Sequence, residues 1–107
     1  MPWQHQKEEK YSIYTPLFSS ILELDNALSN ISIDENKVVD CTNLTLIGST
    51  ITMLTKAYQQ HQEMNYSFIV VISAKEDIDA LEEYFIAVPT VSEAIDYIYM
   101  DELERNI

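Results

Sequence analysis

The chain contains almost no glycine, since Gly48 is the only one among its 107 residues. A loop that cradles phosphate groups needs several glycines, because its backbone must approach the ligand closely, and a P-loop also needs a lysine after them. The residues that follow Gly48 are Ser49 and Thr50, without a second glycine or a lysine. The sequence therefore excludes a P-loop and a Rossmann fingerprint.

Basic residues are also scarce: 6 Lys and Arg stand against 18 Asp and Glu, for a net charge of −12. Such a chain repels phosphate groups, which argues against nucleic acid and against an anionic membrane surface as partners. A basic protein surface is a better match. Ten carboxylates lie in residues 75–107, so the acidic charge is concentrated towards the C-terminus.

Residues that bind metals or attack substrates are few. Cys41 is the single cysteine, which rules out an internal disulfide and a thiolate metal site. His61 and Glu63 are two positions apart on a predicted helix and do not face each other, and His5 has no identifiable partner. Neither Cys41 nor Ser49 has a base nearby in a recognisable pattern. We expect no enzyme activity, no metal and no cofactor.

No apolar run approaches the roughly 20 residues that cross a bilayer, and no leader segment is recognisable at the N-terminus. These features favour a cytoplasmic protein. The length indicates one domain. Residues 1–9 are polar and are predicted to be a flexible lead-in, and residues 10–107 to form the domain.

Hydrophobic periodicity predicts strands that alternate with helices, which is typical of a largely parallel sheet with crossover helices. We therefore expect an α/β fold with a mostly parallel or mixed sheet of four to five strands and about four helices. The predicted strands are 10–16, 37–43, 66–73 and 85–89. The helices follow them, ending near Ser29, running from Ser49 to Asn65, and starting near residues 73 and 90.

Helix ends are predicted from capping residues. Thr15 is a candidate N-cap with Pro16 at the first helical position, and Asn65 is a candidate C-terminal residue. The segments Ser73–Glu76 and Thr90–Glu93 match the capping box. Two helical faces are predicted to point to the core: Ile51, Leu54, Tyr58 and His61 on one helix, and Val91, Ala94, Ile95, Ile98 and Leu103 on the last.

The C-terminal segment from Pro89 to Arg105 reads PTVSEAIDYIYMDELER. It is similar to the pattern PT-x-x-EA-x-D-x-I-x-M-(E/D)-E-(I/L)-ER of short stand-alone STAS domains, the fold of anti-sigma-factor antagonists. Residues 8–17 resemble the first strand of that family, and the strands KVVDCTNL and SFIVVIS match in pattern. The resemblance covers roughly residues 8–106. It implies a bacterial protein that regulates transcription by binding another protein.

The family carries an Asp-Ser-(Ser/Thr)-Gly motif whose second hydroxyl is phosphorylated by a partner kinase that is also an anti-sigma factor. By resemblance, Gly48 lies at the motif's aspartate, Ser49 at its first serine, Thr50 at the phosphoacceptor and Ile51 at its glycine. Both hydroxyls are kept, and both flanking residues differ. The resemblance thus implies Thr50 or Ser49 as phosphoacceptor and Ile47–Ile51 as the partner-binding loop.

Three alternatives stay open. Ser49 or Thr50 at a helix start also suits a cap, a contribution of about 1 kcal/mol. The chain is alternatively an adaptor that has lost the phosphoswitch and docks a partner through its acidic C-terminal helix, Glu93 to Arg105. A small ligand beside Gly48 is the third alternative. The partner's identity and the oligomeric state, monomer or weak dimer, are not determined by the sequence.

Overall fold

The computed structural model describes residues 3–16, 26–28, 31–42 and 48–105, and the account below concerns these ranges. Residues 26–28 are helical, and the rest of the helix predicted to end near Ser29 lies outside the described residues. The remaining elements are β1 (Trp3–Lys7), β2 (Ser12–Pro16), β3 (Lys37–Asp40), α1 (Gly48–Glu63), β4 (Phe68–Val71), α2 (Lys75–Leu81), β5 (Ile86–Val88) and α3 (Val91–Arg105).

The strands form one five-stranded sheet in the order β1-β2-β3-β4-β5. Strands β2 to β5 are parallel, and β1 pairs with β2 in the antiparallel direction. Each crossover therefore moves to the next strand in the same direction. Right-handed crossovers of this kind place their helices on one face of the sheet. The predicted α/β fold, with its mixed and mostly parallel sheet, is confirmed.

The sheet separates two hydrophobic cores. Residues 27 and 28, α1 and α2 pack on one face, over Val39 and Val70, and α3 packs on the other face, over Val38 and Ile69. Neighbouring residues of a strand point to opposite faces, which explains this alternation. All four residues of β4 are buried, as the continuous apolar run predicts for a strand covered on both sides.

The predicted lead-in, residues 1–9, contains strand β1. Gln4 to Lys7 are exposed, so this strand lacks the alternation of apolar and polar residues from which a strand is predicted. It is held by backbone pairing to β2 and by His5, whose ring stacks on Tyr14 with 4.4 Å between centroids. His5 therefore has an aromatic partner that the sequence did not reveal.

Pairing with β1 also corrects the predicted start of the first helix. Thr15 and Pro16 belong to β2, opposite Gln4 and Trp3, so they are neither N-cap nor first helical residue. The predicted capping box at residue 73 is likewise wrong: Ala74 is the N-cap of α2, with extended backbone and no side-chain capping bond.

Two other helix ends agree with the prediction from the sequence. The Glu93 amide donates to Thr90 Oγ1 at 3.1 Å, which confirms Thr90 as a cap of α3. Asn65 has a positive φ of 64°, and the amides of Asn65 and Tyr66 donate to the carbonyls of Gln62 and His61. This is the Schellman arrangement, and it confirms Asn65 as the end of α1.

Candidate functional site

The predicted partner-binding loop lies at the start of α1. The helix begins at Gly48, so Ser49 and Thr50 are its second and third residues. Ile47 lies outside the described residues. Ser49 is exposed, whereas Thr50 is 0% exposed and Ile51 is half-buried. The structure therefore separates the two hydroxyls, because only Ser49 can be reached from solvent.

Neither hydroxyl caps α1 within the described part of the chain. Thr50 is the first member of a buried stripe that continues through Leu54, Ala57 and His61, and its hydroxyl has no hydrogen-bond partner among the described residues. Ser49 forms no hydrogen bond to a described residue either. The prediction of a capping role is wrong for both, because the helix starts one residue earlier than expected and places them inside its first turn.

Gly48 has no structural need to be glycine. Its φ is not positive, and a Cβ built at this position meets no described atom within 4 Å. A glycine required for a tight turn or a close approach to a ligand would show one of these features. Both observations agree with the exclusion of a phosphate-cradling loop.

A partly buried cluster of polar side chains lies at the opposite end of the sheet, near the first residues of the parallel strands. We call it the Glu35 cluster, and it comprises Glu35, Lys7, Ser12, Tyr14 and Lys37. Glu35 Oε1 accepts hydrogen bonds from Lys7 Nζ at 3.0 Å and Ser12 Oγ at 2.6 Å, and Oε2 accepts one from Tyr14 OH at 2.7 Å. Lys37 Nζ lies 3.5 Å from the same Oε2.

Burial and hydrogen bonding compete in setting the protonation states of this cluster. Burial favours a raised pKa for Glu35, but the bonds from Ser12, Tyr14 and Lys7 and the Lys37 charge lower it to about 2. Burial and the hydrogen bond to Glu35 raise the pKa of Tyr14 to about 12. Burial lowers the pKa of Lys37. Its side chain is 0% exposed, and its ammonium forms no well-directed hydrogen bond to a residue that the structure describes.

His61 is a core residue, as the sequence predicts, and it is completely buried. Its Nδ1 lies 2.7 Å from the Ala57 carbonyl, so Nδ1 carries the hydrogen and donates it. Nε2 has no hydrogen bond of good geometry to a described residue, but the Ser32 backbone is near enough to favour the protonated ring. The ring packs on Phe68 with 4.9 Å between centroids. Burial lowers the pKa of His61, which keeps it neutral at physiological pH.

The thiol of Cys41, a candidate nucleophile, lies in an environment that makes it unreactive. Cys41 is buried, and burial together with the neighbouring Asp40 raises the pKa of its thiol to about 12. The reactive species is the thiolate, which this environment disfavours. Among the described residues, no three His, Cys, Asp or Glu side chains are grouped so that they could hold a metal ion.

The end of α3 is fastened to the sheet by a network of polar side chains. Arg105 Nη2 donates to Ser67 Oγ at 2.8 Å, and Ser67 Oγ donates to Asp101 Oδ2 at 2.8 Å. Asn36 Nδ2 donates to Glu102 Oε1 at 2.8 Å, and Asn36 Oδ1 accepts from the Ser67 amide. Two of the carboxylates predicted for docking therefore serve the fold.

The outer face of α3 is the part that stays free. We define it by Asp96, Tyr99, Met100 and Leu103, which share one side of the helix at spacings of three and four residues. Met100 is 63% exposed and Leu103 is 68% exposed, so the prediction that Leu103 points to the core is wrong. Tyr99 is 46% exposed and meets the ring of Tyr11 edge-on.

Comparison with known proteins assigns the chain to no family. No protein-family model matches the chain, and no curated protein matches it. No helix within the described ranges is sufficiently long and apolar to span a bilayer.

Proposed function

We propose that the chain is a non-catalytic regulatory module that binds a protein partner through the outer face of α3. The observation that carries this proposal is the exposure of Met100 and Leu103 side by side on one helix face. Contiguous large apolar side chains in solvent mark interaction surfaces, since burying them against a partner is favourable.

Charge indicates the kind of partner. Glu93, Asp96 and Glu104 are exposed on α3, and none of them forms an ion pair with a described residue. With a net charge of −12, the chain is complementary to a basic protein surface. An anti-sigma factor or a kinase-like regulator in the bacterial cytoplasm, which the STAS resemblance implies, remains our proposal for the partner.

The experiment is affinity purification from the native cell with the wild-type chain and two variants. We expect Leu103→Asp to lose the partner, because it places a charge within the buried centre of the interface. Tyr84→Asp is the matched control, since Tyr84 is a 47% exposed large side chain that follows α2, the helix packed on the opposite face of the sheet from α3. Equal recovery of every protein by wild type and Leu103→Asp would refute docking through this face.

A second candidate is a phosphoswitch at the start of α1, favoured by the exposure of Ser49. A phosphate on the second residue of a 16-residue helix would be attracted by the free N–H groups and the helix dipole. Mass spectrometry of the chain isolated from its cell tests this candidate. Phosphate on Ser49 supports it, and unmodified Ser49 and Thr50 under every growth condition would remove it.

A further inference from the structure

A cleft of about 360 Å³ lies where α1, α3 and the first residue of β5 meet. Its polar lining comes from two helices that are distant in sequence: Tyr58 and Gln62 from α1, and Tyr97, Asp101, Glu104 and Arg105 from α3. None of these positions belongs to the outer face of α3. The cleft is therefore a separate feature of the surface.

The charge in this cleft is negative. Arg105 is its only cation among the described lining residues, and that guanidinium is already engaged. Its Nη2 donates to Ser67 at 2.8 Å and lies 3.7 Å from Asp101, and its Nη1 lies 3.4 Å from Glu102. Glu104 has no ion-pair partner in the described part of the chain. The cleft is therefore lined by two carboxylates, Asp101 and Glu104, and one guanidinium, and Glu104 is the carboxylate without an ion pair to a described residue.

Two phenol rings complete the cleft. Burial and the Asp101 carboxylate raise the pKa of both Tyr58 and Tyr97, so the rings are neutral at physiological pH. The face of a neutral aromatic ring attracts cations through its quadrupole. Rings beside an unpaired carboxylate offer an organic cation both a surface for its alkyl groups and a counter-charge.

We propose that this cleft binds an organic cation, an alkylammonium or guanidinium group. Such a group is carried either by a free amine or by a lysine or arginine side chain of a protein. Its charge is balanced by Glu104 and Asp101, and its carbon chain lies against Tyr58 and Tyr97. An anion of the same size is repelled by the same carboxylates. This site does not depend on the outer face of α3 and extends beyond the proposed function.

The test is an NMR titration of the full chain with butylammonium, methylguanidinium, 1-butanol and butyrate. We expect saturable shifts at Tyr58, Tyr97 and Glu104 with the two cations only, and weaker binding at higher ionic strength. Glu104→Gln is expected to weaken cation binding roughly threefold or more. Glu93→Gln is the matched control, an exposed carboxylate on the same helix outside the cleft, and is expected to bind as the wild type does.

A second pair of variants examines the aromatic wall. Tyr97→Leu is expected to weaken binding, and Tyr99→Leu, on another side of the same helix, to leave it unchanged. Saturation by 1-butanol as strong as that by butylammonium, or binding unaffected by Glu104→Gln, would overturn the proposal. Spectra of the free variants establish that each is folded.

A further ligand distinguishes the two sources of the cation. Lysine blocked at both ends carries the same ammonium on a peptide backbone. Binding at least as tight as that of butylammonium indicates a protein side chain as the natural occupant, whereas exclusion of the blocked lysine indicates a free amine. Cation binding is tested with Glu104→Gln and docking with Leu103→Asp, in separate assays, so failure of this proposal and failure of docking through α3 give different results.

Discussion

The Glu35 cluster predicts an asymmetric effect of mutation. Lys37 is 0% exposed at its side chain, and Glu35 is its counter-ion at 3.5 Å. Glu35→Gln removes that counter-ion and leaves a buried ammonium uncompensated, which typically costs about 3 kcal/mol of unfolding free energy. Lys37→Met removes the buried charge itself. Glu35 then still accepts bonds from Lys7, Ser12 and Tyr14, so we expect a change within about 1 kcal/mol.

The double variant Glu35→Gln/Lys37→Met completes the cycle. It has no uncompensated ammonium, so it is expected to recover about 2 kcal/mol relative to Glu35→Gln alone. Urea unfolding at pH 7, followed by far-UV circular dichroism and extrapolated to zero denaturant, measures all three values. Glu83→Gln, at an exposed position, is the control. Equal losses in the two single variants, or additive losses in the double variant, would contradict the reasoning.

Three further predictions concern protonation and the start of α1. Stability falls below about pH 6.5, where the unfolded chain protonates its histidine while buried His61 resists protonation. It falls again between about pH 4.5 and 2, because the unfolded chain protonates this glutamate while folded Glu35 keeps its charge down to its pKa of about 2. Urea unfolding across pH detects both slopes, and His61→Leu abolishes only the first. Gly48→Ala raises stability by about 0.5–1 kcal/mol, because no described residue lies where the methyl group would be placed, and an unchanged urea midpoint would refute this. Thr50→Val raises it by roughly 1 kcal/mol by removing a buried hydroxyl that has no partner within the described ranges, whereas a lower midpoint would indicate that this hydroxyl is satisfied.

The sheet was predictable because its strands carry local signals. The run from Phe68 to Val71 is continuously apolar, and such a run suits a strand buried on both faces. Alternation of strands with helical patterns then predicts parallel pairing and crossovers. Strand β1 was not predicted, because it carries no such local signal. Its side chains are exposed, and it belongs to the sheet through backbone bonds to β2, which leave no periodic trace in the sequence.

The Glu35 cluster was unpredictable for a different reason. Its five residues lie at positions 7, 12, 14, 35 and 37, and only the fold brings them together around one carboxylate. The single local sign is Lys37 directly before the apolar pair Val38 and Val39. A lysine at a strand start ordinarily extends its charge into water, so its position predicts an exposed ammonium and not a buried one. Its complete burial requires a counter-ion that sequence spacing cannot identify.

At the start of α1, a shift of one residue in the buried side of the helix changes which hydroxyl is accessible for phosphorylation. A stripe through Ile51 would have left Thr50 towards solvent, as a phosphoacceptor requires. The observed stripe instead includes Thr50 and leaves Ser49 exposed. A phosphate dianion on Thr50 is incompatible with the buried position, because its desolvation outweighs the attraction of the helix N-terminus. Modification of Thr50 therefore requires the first turn of α1 to open, whereas modification of Ser49 does not. Stabilising that turn with Gly48→Ala consequently slows a kinase at Thr50 and leaves its rate at Ser49 unchanged.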